Sequence, residues 1–271
     1  MSIRSTKHLW TGLLLALSLL ASQPAFAGRS CEQKPPDVSA VTKGLELALN
    51  TARSLDASGA KVVLLARAGQ DLSKYGLNYS HLGFAYLESP SAQVGSPGTW
   101  RVAHKLNQCG TAEAAVYWQG LGDFFLDSPF RYEAAYVVPH PALQDKLLAL
   151  LRDKAALSKM HEKRYNMLAY PWAQTYQQSN QWAVETLALA TANANDRAQA
   201  QTWMRNTGYQ PTVLSLGPLS RLGARATAAN IAFDDHPNDK RFSDRIETVT
   251  VDSVFVWLTR SGLTSAINKV R

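Results

Sequence analysis

Four short apolar runs between residues 61 and 138 constrain the fold of this chain more than any other feature of its sequence. They cover residues 61–68, 79–87, 100–106 and 133–138. Each is short and rich in aliphatic or aromatic residues, which predicts a β-strand. Residues 89–98 contain two prolines, two glycines and three serines, so a loop is expected between the second and third strands.

Helices are predicted on both sides of these strands. Residues 38–55 carry apolar side chains at three- and four-residue steps, as one face of a helix requires. Further helices are predicted over 141–151, 180–192 and 196–205, and a weaker one over 214–231. Residues 243–258 fit either a strand or a helix. A group of strands followed by helices predicts an α+β fold with an antiparallel sheet and segregated helices.

The N-terminal segment is typical of a secretory signal peptide. Arg4 and Lys7 precede a 13-residue apolar stretch, 9–21, and small residues at Ala25 and Ala27 precede Gly28. A membrane-spanning helix needs roughly 20 apolar residues, so this stretch is too short to cross a bilayer. We therefore expect residues 1–27 to be cleaved near Ala27–Gly28 and the protein to be periplasmic or secreted. An uncleaved anchor is the alternative.

The remaining residues, 28–271, are expected to form one exported domain, with a core at about 38–195 and a helical C-terminal extension at about 196–271. Apolar residues make up 46% of the chain and seven are tryptophans, so it can bury a substantial core. The net charge of +7 falls to +5 without Arg4 and Lys7. Basic residues are scattered, which argues against nucleic acid and leaves weak attraction to anionic envelope polymers or membranes. No cofactor, no further membrane span and no particular protein partner is predicted.

The chain contains two cysteines, Cys31 and Cys109. In an oxidising compartment they can pair in only one way. Such a bond would close a loop of about 79 residues and stabilise the fold by roughly 4 to 5 kcal/mol. The alternative is a reactive Cys109 near His104.

A candidate catalytic arrangement combines two strand histidines with a helix start. His81 lies in the second predicted strand, His104 lies in the third with Trp100 and Val102 on the same face, and Ser179 stands at the start of the helix predicted over 180–192. A helix N-terminus favours a developing anion, so Ser179 would be the nucleophile. His81 would be the general base and His104 would orient it, with Asn107 as an alternative orienting group.

Each of these residues also has a structural interpretation. A histidine on an apolar strand such as that of His81 is often a hydrogen-bonded core residue. Ser179 or Asn180 would serve equally well as a helix N-cap, which contributes about 1 kcal/mol. The sequence alone leaves both interpretations open.

Three segments, SHLGF (80–84), VAH (102–104) and SNQW (179–182), resemble the circularly permuted branch of the NlpC-type papain-like superfamily. The resemblance implies a papain-like antiparallel sheet packed against helices, with additional C-terminal helices. It also implies a hydrolase or acyltransferase that acts on amide or ester bonds, such as those of a peptidoglycan peptide or a lipid envelope component. Ser179 stands where that superfamily has cysteine. Because serine is the poorer nucleophile, it would need His81 within hydrogen-bond reach.

The chain more closely resembles a family of exported bacterial proteins known only as a domain of unknown function. This resemblance rests on GRSCE (28–32), SHLGFAY (80–86), WRVAHKLNQCGT (100–111) and YQQSNQW (176–182), and covers most of residues 28–260. It implies no established activity. The alternative to an enzyme is therefore a non-catalytic periplasmic binding or assembly module on the same fold.

Two further groups of residues invite a ligand. Tyr170, Trp172 and Trp182 lie around the candidate site in sequence and are predicted to contact substrate, although large aromatic residues are more often core. The loop 234–239 offers Asp234 and His236 as metal ligands. Its spacing matches neither an EF-hand nor a zinc motif, so a solvated loop is predicted there instead.

Overall fold

The structure is a computed structural model that describes residues 37–88 and 98–271. Its strands are β1 (Val62–Arg67), β2 (His81–Glu88), β3 (Thr99–Asn107), β4 (Ala114–Gly120), β5 (Ala134–Val137), β6 (Thr212–Ser215), β7 (Arg245–Thr248) and β8 (Asn268–Val270). Its α-helices are α1 (Val38–Ser58), α2 (Leu121–Phe125), α3 (Pro141–Arg152), α4 (Lys154–Ser158), α5 (Ser179–Ala192), α6 (Arg197–Asn206), α7 (Pro218–Thr227), α8 (Asn238–Phe242) and α9 (Val251–Arg260). The predicted signal peptide, Cys31 and most of the predicted loop 89–98 lie outside the described residues.

A six-stranded antiparallel sheet forms the centre of the molecule. Its strand order is β4-β3-β2-β1-β5-β8, and every neighbouring pair is antiparallel. The four predicted strands are confirmed as β1, β2, β3 and β5. The α+β class with an antiparallel sheet packed against helices is therefore confirmed.

Helices cover both faces of this sheet. Side chains alternate across each strand, so neighbouring residues contribute to different cores. Val63, Leu65 and Val102 pack with α1 and α2. Leu64 and Phe84 pack on the other face with α3, α5 and α9. This alternation decides which helix each strand residue meets.

The C-terminal residues 196–271 combine four α-helices, α6 to α9, with three short strands, β6 to β8. Strands β6 and β7 pair as a separate two-stranded sheet, and β8 pairs with β5 at the edge of the main sheet. Leu214 and Ile246 are buried together with Phe233, which gives the β6–β7 pair a small core of its own. The helix predicted over 214–231 is shortened to α7, because Pro218 at its first turn marks where a helix can begin.

Among residues 37–88 and 98–271, no helix has both the length and the hydropathy that crossing a bilayer requires.

Candidate functional site

The two strand histidines lie side by side. His81 Nε2 and His104 Nδ1 are 2.8 Å apart, and His104 Nε2 is 2.7 Å from Gln119 Oε1. Because a carboxamide oxygen only accepts, His104 carries its proton on Nε2 and donates it to Gln119. His104 Nδ1 is then the acceptor, and His81 Nε2 donates to it. The predicted contact between His81 and His104 is therefore present. The shared face of Trp100, Val102 and His104 is present as well.

The histidine pair is enclosed and held neutral. Both rings pack against Phe124, with centroid distances of 5.8 Å for His81 and 5.2 Å for His104. The Arg67 guanidinium lies over the same phenyl ring at 4.8 Å and pairs with Asp127 at 2.7 Å. Burial, together with the positive charge of Arg67, keeps the pKa of His81 well below its usual range and lowers the pKa of His104 to about 4.

Ser179 is not brought to this pair. Leu82 and Phe84 point towards α5, the helix that begins with Ser179, so His81 points to the opposite face of the sheet. The Ser179 side chain is only 5% exposed and interacts with the Tyr165 hydroxyl. The described structure therefore lacks the predicted contact between nucleophile and base.

The start of α5 also differs from the predicted cap. Gln178 is the N-cap residue, and it makes no side-chain capping bond. Its carboxamide nitrogen instead donates to Thr248 Oγ1 at 2.7 Å and to the backbone oxygen of Val249 at 2.8 Å. Neither Ser179 nor Asn180 is the N-cap, because the helix begins one residue earlier than a Ser179 cap requires.

Asn107 has a structural role in the turn after β3. Its Nδ2 donates to the backbone oxygens of Thr111 and Glu113, and its Oδ1 accepts from Asn230. These bonds occupy the amide that was predicted as an alternative orienting group for His81.

Cys109 lies in the same exposed turn. Its pairing with Cys31 stays a prediction, because Cys31 lies outside the described residues.

A second buried polar cluster lies on the α5 side of the sheet. The Glu185 carboxylate is fully buried and accepts from Arg197 Nε at 2.7 Å, from Gln201 at 2.7 Å and from Gln181 at 3.1 Å. Gln177 bridges this carboxylate to Lys105 Nζ. Burial first, and then the charge of Arg197, lowers the pKa of Lys105 to about 7.

Sequence reasoning missed this cluster. Lys105 follows His104 along β3, so it faces α5 by alternation. Glu185 is a charged residue in a helix that is otherwise mostly apolar. This contrast was the one signal of the cluster in the sequence, because a charged residue buried with apolar neighbours needs polar partners.

The three aromatic residues predicted to contact substrate occupy different environments. Trp182 is fully buried, with its ring 6.1 Å from that of Phe84, so the prediction that it contacts substrate is wrong. Tyr170 is half-buried against His236 at a ring distance of 5.1 Å. Trp172 is half-buried and lines an open cleft.

The loop 234–239 is tied to its surroundings by hydrogen bonds. Asp235 contacts His236 Nδ1 at 3.0 Å and accepts from the backbone nitrogen of Tyr170 at 2.8 Å. His236 Nε2 lies 2.9 Å from the backbone oxygen of Glu247. Within residues 37–88 and 98–271, no group of three histidine, cysteine or acidic side chains is arranged to hold a metal ion.

A polar cleft of about 380 Å³ lies between α6, α8 and the β6–β7 pair. The charged and aromatic residues that line it are Trp172, Arg205, Tyr209, Lys240, Arg245 and Glu247. Three of these side chains are cationic and one is anionic, which leaves a net charge of +2. The cleft therefore attracts anions.

The cleft is also partly preorganised. The Arg205 guanidinium stacks on the Trp172 ring at 4.5 Å, and Lys240 forms an ion pair with Glu247. The hydrogen bond to Glu247 raises the pKa of Lys240. Arg205, Lys240 and Arg245 come from three separate elements, so no local spacing in the sequence could have revealed the site.

A family model described as an uncharacterised protein conserved in bacteria (DUF2145) matches residues 54–258. That span contains the histidine pair, the Glu185 cluster and the cationic cleft. No curated protein and no solved structure matches the chain.

Proposed function

The chain belongs to the DUF2145 family of uncharacterised bacterial proteins, and we propose that it is an exported binding protein that holds an anionic component of the cell envelope. We infer this from the stacking of Arg205 on Trp172 within the cleft that Lys240 and Arg245 also line. Binding in this cleft requires no nucleophile.

The chemistry of the cleft indicates the class of ligand. Guanidinium groups bind carboxylates and phosphates through paired N–H donors, and arginine stacked on a ring loses less freedom on binding. Trp172 and Tyr209 add apolar surface on which a sugar or a ring can pack. A peptidoglycan fragment, which joins sugars to a peptide with free carboxylates, supplies both features.

A catalytic role has one observation in its favour, which is the His81–His104 hydrogen bond expected of a base and its orienting group. Ser179 lies across the sheet from that pair, and its side chain interacts with Tyr165. We therefore propose binding as the function and a papain-like scaffold as its framework. The scaffold is inferred from the SHLGF, VAH and SNQW segments and is consistent with an antiparallel sheet against which the Ser179 helix packs.

Export is part of the proposal. It is supported by the basic start, the short apolar stretch 9–21 and the small residues before Gly28. Mass spectrometry of the protein expressed from its full sequence gives the N-terminus directly. A mass that corresponds to a chain beginning at Gly28 is expected, and a mass that retains residues 1–27 would contradict cleavage.

Calorimetric titration with a soluble disaccharide-peptide from digested peptidoglycan tests the binding function. We expect binding that weakens with added salt, and no binding of an uncharged N-acetylglucosamine trimer. Arg205→Gln and Trp172→Ala should each weaken binding by about tenfold. Arg53→Gln is the matched control, because Arg53 is exposed on α1 at the opposite face of the sheet.

Two results would overturn the proposal. One is binding of the disaccharide-peptide that Arg205→Gln leaves unchanged, or no binding at all. The other is cleavage of the disaccharide-peptide, seen by mass spectrometry and abolished by Ser179→Ala, which would establish the catalytic alternative.

A further inference from the structure

Helix α7 presents its apolar side to solvent. None of its ten residues is buried in the described structure, and Leu219 and Leu222 are 85% and 68% exposed. These two leucines are three residues apart and therefore lie on the same face of the helix, which Ala226 extends. A surface helix ordinarily turns such a face towards the core.

The polar side of α7 provides its attachment to the protein. The Arg221 side chain is only 12% exposed, pairs with Asp244 at 2.6 Å and donates to the backbone oxygen of Leu216 at 2.6 Å. Ala224 packs with Leu216 on the small core under β6 and β7. The helix is thus held in place by Arg221 and Ala224, and its outward leucines contribute little to the fold.

A third exposed apolar residue, Phe242, lies two residues before Asp244, the ion-pair partner of Arg221 on α7. Phe242 ends α8, is 69% exposed and has the Arg241 guanidinium 4.7 Å from its ring centre. Arg225 is exposed on α7. Neither Arg225 nor Arg241 forms an ion pair with any of the described residues, and the nearby carboxylate of Asp244 is taken by Arg221.

We propose that this face, formed by Leu219, Leu222 and Phe242 with Arg225 and Arg241, docks on the surface of an anionic lipid bilayer. Exposed leucine and phenylalanine side chains insert at the boundary between headgroups and acyl chains, and arginines bind the lipid phosphates. A ten-residue helix is about 15 Å long and cannot cross a bilayer, so the contact is peripheral. Asp239 on α8 offsets part of the positive charge, so the apolar side chains supply most of the affinity.

This docking is independent of the cleft. It concerns different residues, and it would place the cleft next to a membrane without needing the cleft to be occupied. Arg205→Gln should therefore leave membrane binding unchanged. Substitutions on α7 should likewise leave binding of the disaccharide-peptide unchanged, so failure of one proposal can be told from failure of the other.

Co-sedimentation with vesicles tests the proposal. The protein is expressed from its full sequence, and its mass is measured to establish that residues 1–27 are absent from the chain used. We expect it to sediment with vesicles of phosphatidylglycerol and phosphatidylethanolamine, and only weakly with phosphatidylcholine. Leu219→Ser/Leu222→Ser should reduce partitioning at least tenfold. Arg225→Gln/Arg241→Gln should reduce it several-fold and flatten its salt dependence.

Val256→Ser is the matched control, because Val256 is a 60%-exposed apolar residue on α9. Circular dichroism checks that each variant is folded. Equal vesicle binding by the double-serine variant and the unchanged protein would overturn the proposal. So would self-association that the same variant abolishes in the absence of vesicles, because that would assign the face to a second copy of the chain.

Discussion

The imidazole rings of His81 and His104 share a hydrogen bond of 2.8 Å beneath the ring of Phe124. They form the centre of a row of polar side chains that crosses four strands, from Arg67 on β1 to Gln119 on β4. Buried polar groups are costly unless they are bonded, so this row is stable only when each member keeps its partner.

Acid should destabilise the protein, because His104 has to be neutral in the fold. Its pKa is lowered to about 4 by burial, then by the charge of Arg67, whereas the unfolded value is 6.5. Between these values the unfolded chain binds more protons, so stability falls as the pH falls through this window. His104 alone should cost about 2 kcal/mol between pH 7 and pH 5. Urea unfolding at the two pH values measures the loss.

The variant His104→Gln tests the assignment, because it should reduce the difference in unfolding free energy between pH 7 and pH 5. His140→Ser is the control. His140 is an exposed N-cap residue of α3, and serine can replace its capping bond. If His104→Gln retains the full pH dependence, then His104 is not its source.

Gly83 should not tolerate a side chain, because β3, the strand that carries His104, packs directly against it. A Cβ at this position would lie 2.9 Å from the Cβ of His104, 3.0 Å from Val102 and 3.1 Å from the backbone oxygen of Ala103. Gly83→Ala should therefore lower the free energy of unfolding by about 1 to 3 kcal/mol. Gly223→Ala is the matched control, since a Cβ there meets nothing within 4 Å and alanine is the better helix former. Equal stability of both variants in urea would contradict the crowding.

The strand pattern predicted the histidine pair but could not predict where Ser179 would lie. Because side chains alternate between the two faces of a strand, His104 lies on the same face as Trp100 and Val102, whichever helix covers that face. Whether His81 or its neighbour Leu82 meets α5 depends on which face of the sheet that helix packs against, and a shift of one residue reverses the answer. The local sequence contains no such information.

The elements that sequence analysis missed depend on distant partners. Strand β4 is mostly half-exposed and is defined by its pairing with β3. Strands β6 and β7 are short and pair across about 30 residues of intervening chain. The cleft lies where these strands meet α6 and α8, so its cations could be assembled only by the fold.

Removing the charge of Glu185 should be severely destabilising. Its carboxylate is fully buried and is the ion-pair partner of Arg197, whose side chain is also buried. Glu185→Gln keeps the shape but leaves that guanidinium without an opposing charge, which typically costs about 3 to 5 kcal/mol. Asp145→Asn is the control, because the Lys61–Asp145 pair is exposed on both sides and such pairs contribute about 1 kcal/mol or less. Urea unfolding that shows similar small losses for both variants would disprove the structural role of Glu185.

A predicted disulfide bond links the start of the domain to the turn after β3. Cys109 is exposed in that turn, and the chain has one other cysteine, Cys31. In an oxidising compartment their bond should form, and reduction should lower the free energy of unfolding by roughly 4 to 5 kcal/mol, because a loop of about 79 residues is released. Non-reducing mass spectrometry should show a peptide that links the two residues and a mass two hydrogens below the reduced chain. Two alkylatable thiols in the exported protein would contradict the bond and would return Cys109 to consideration as a reactive residue near His104.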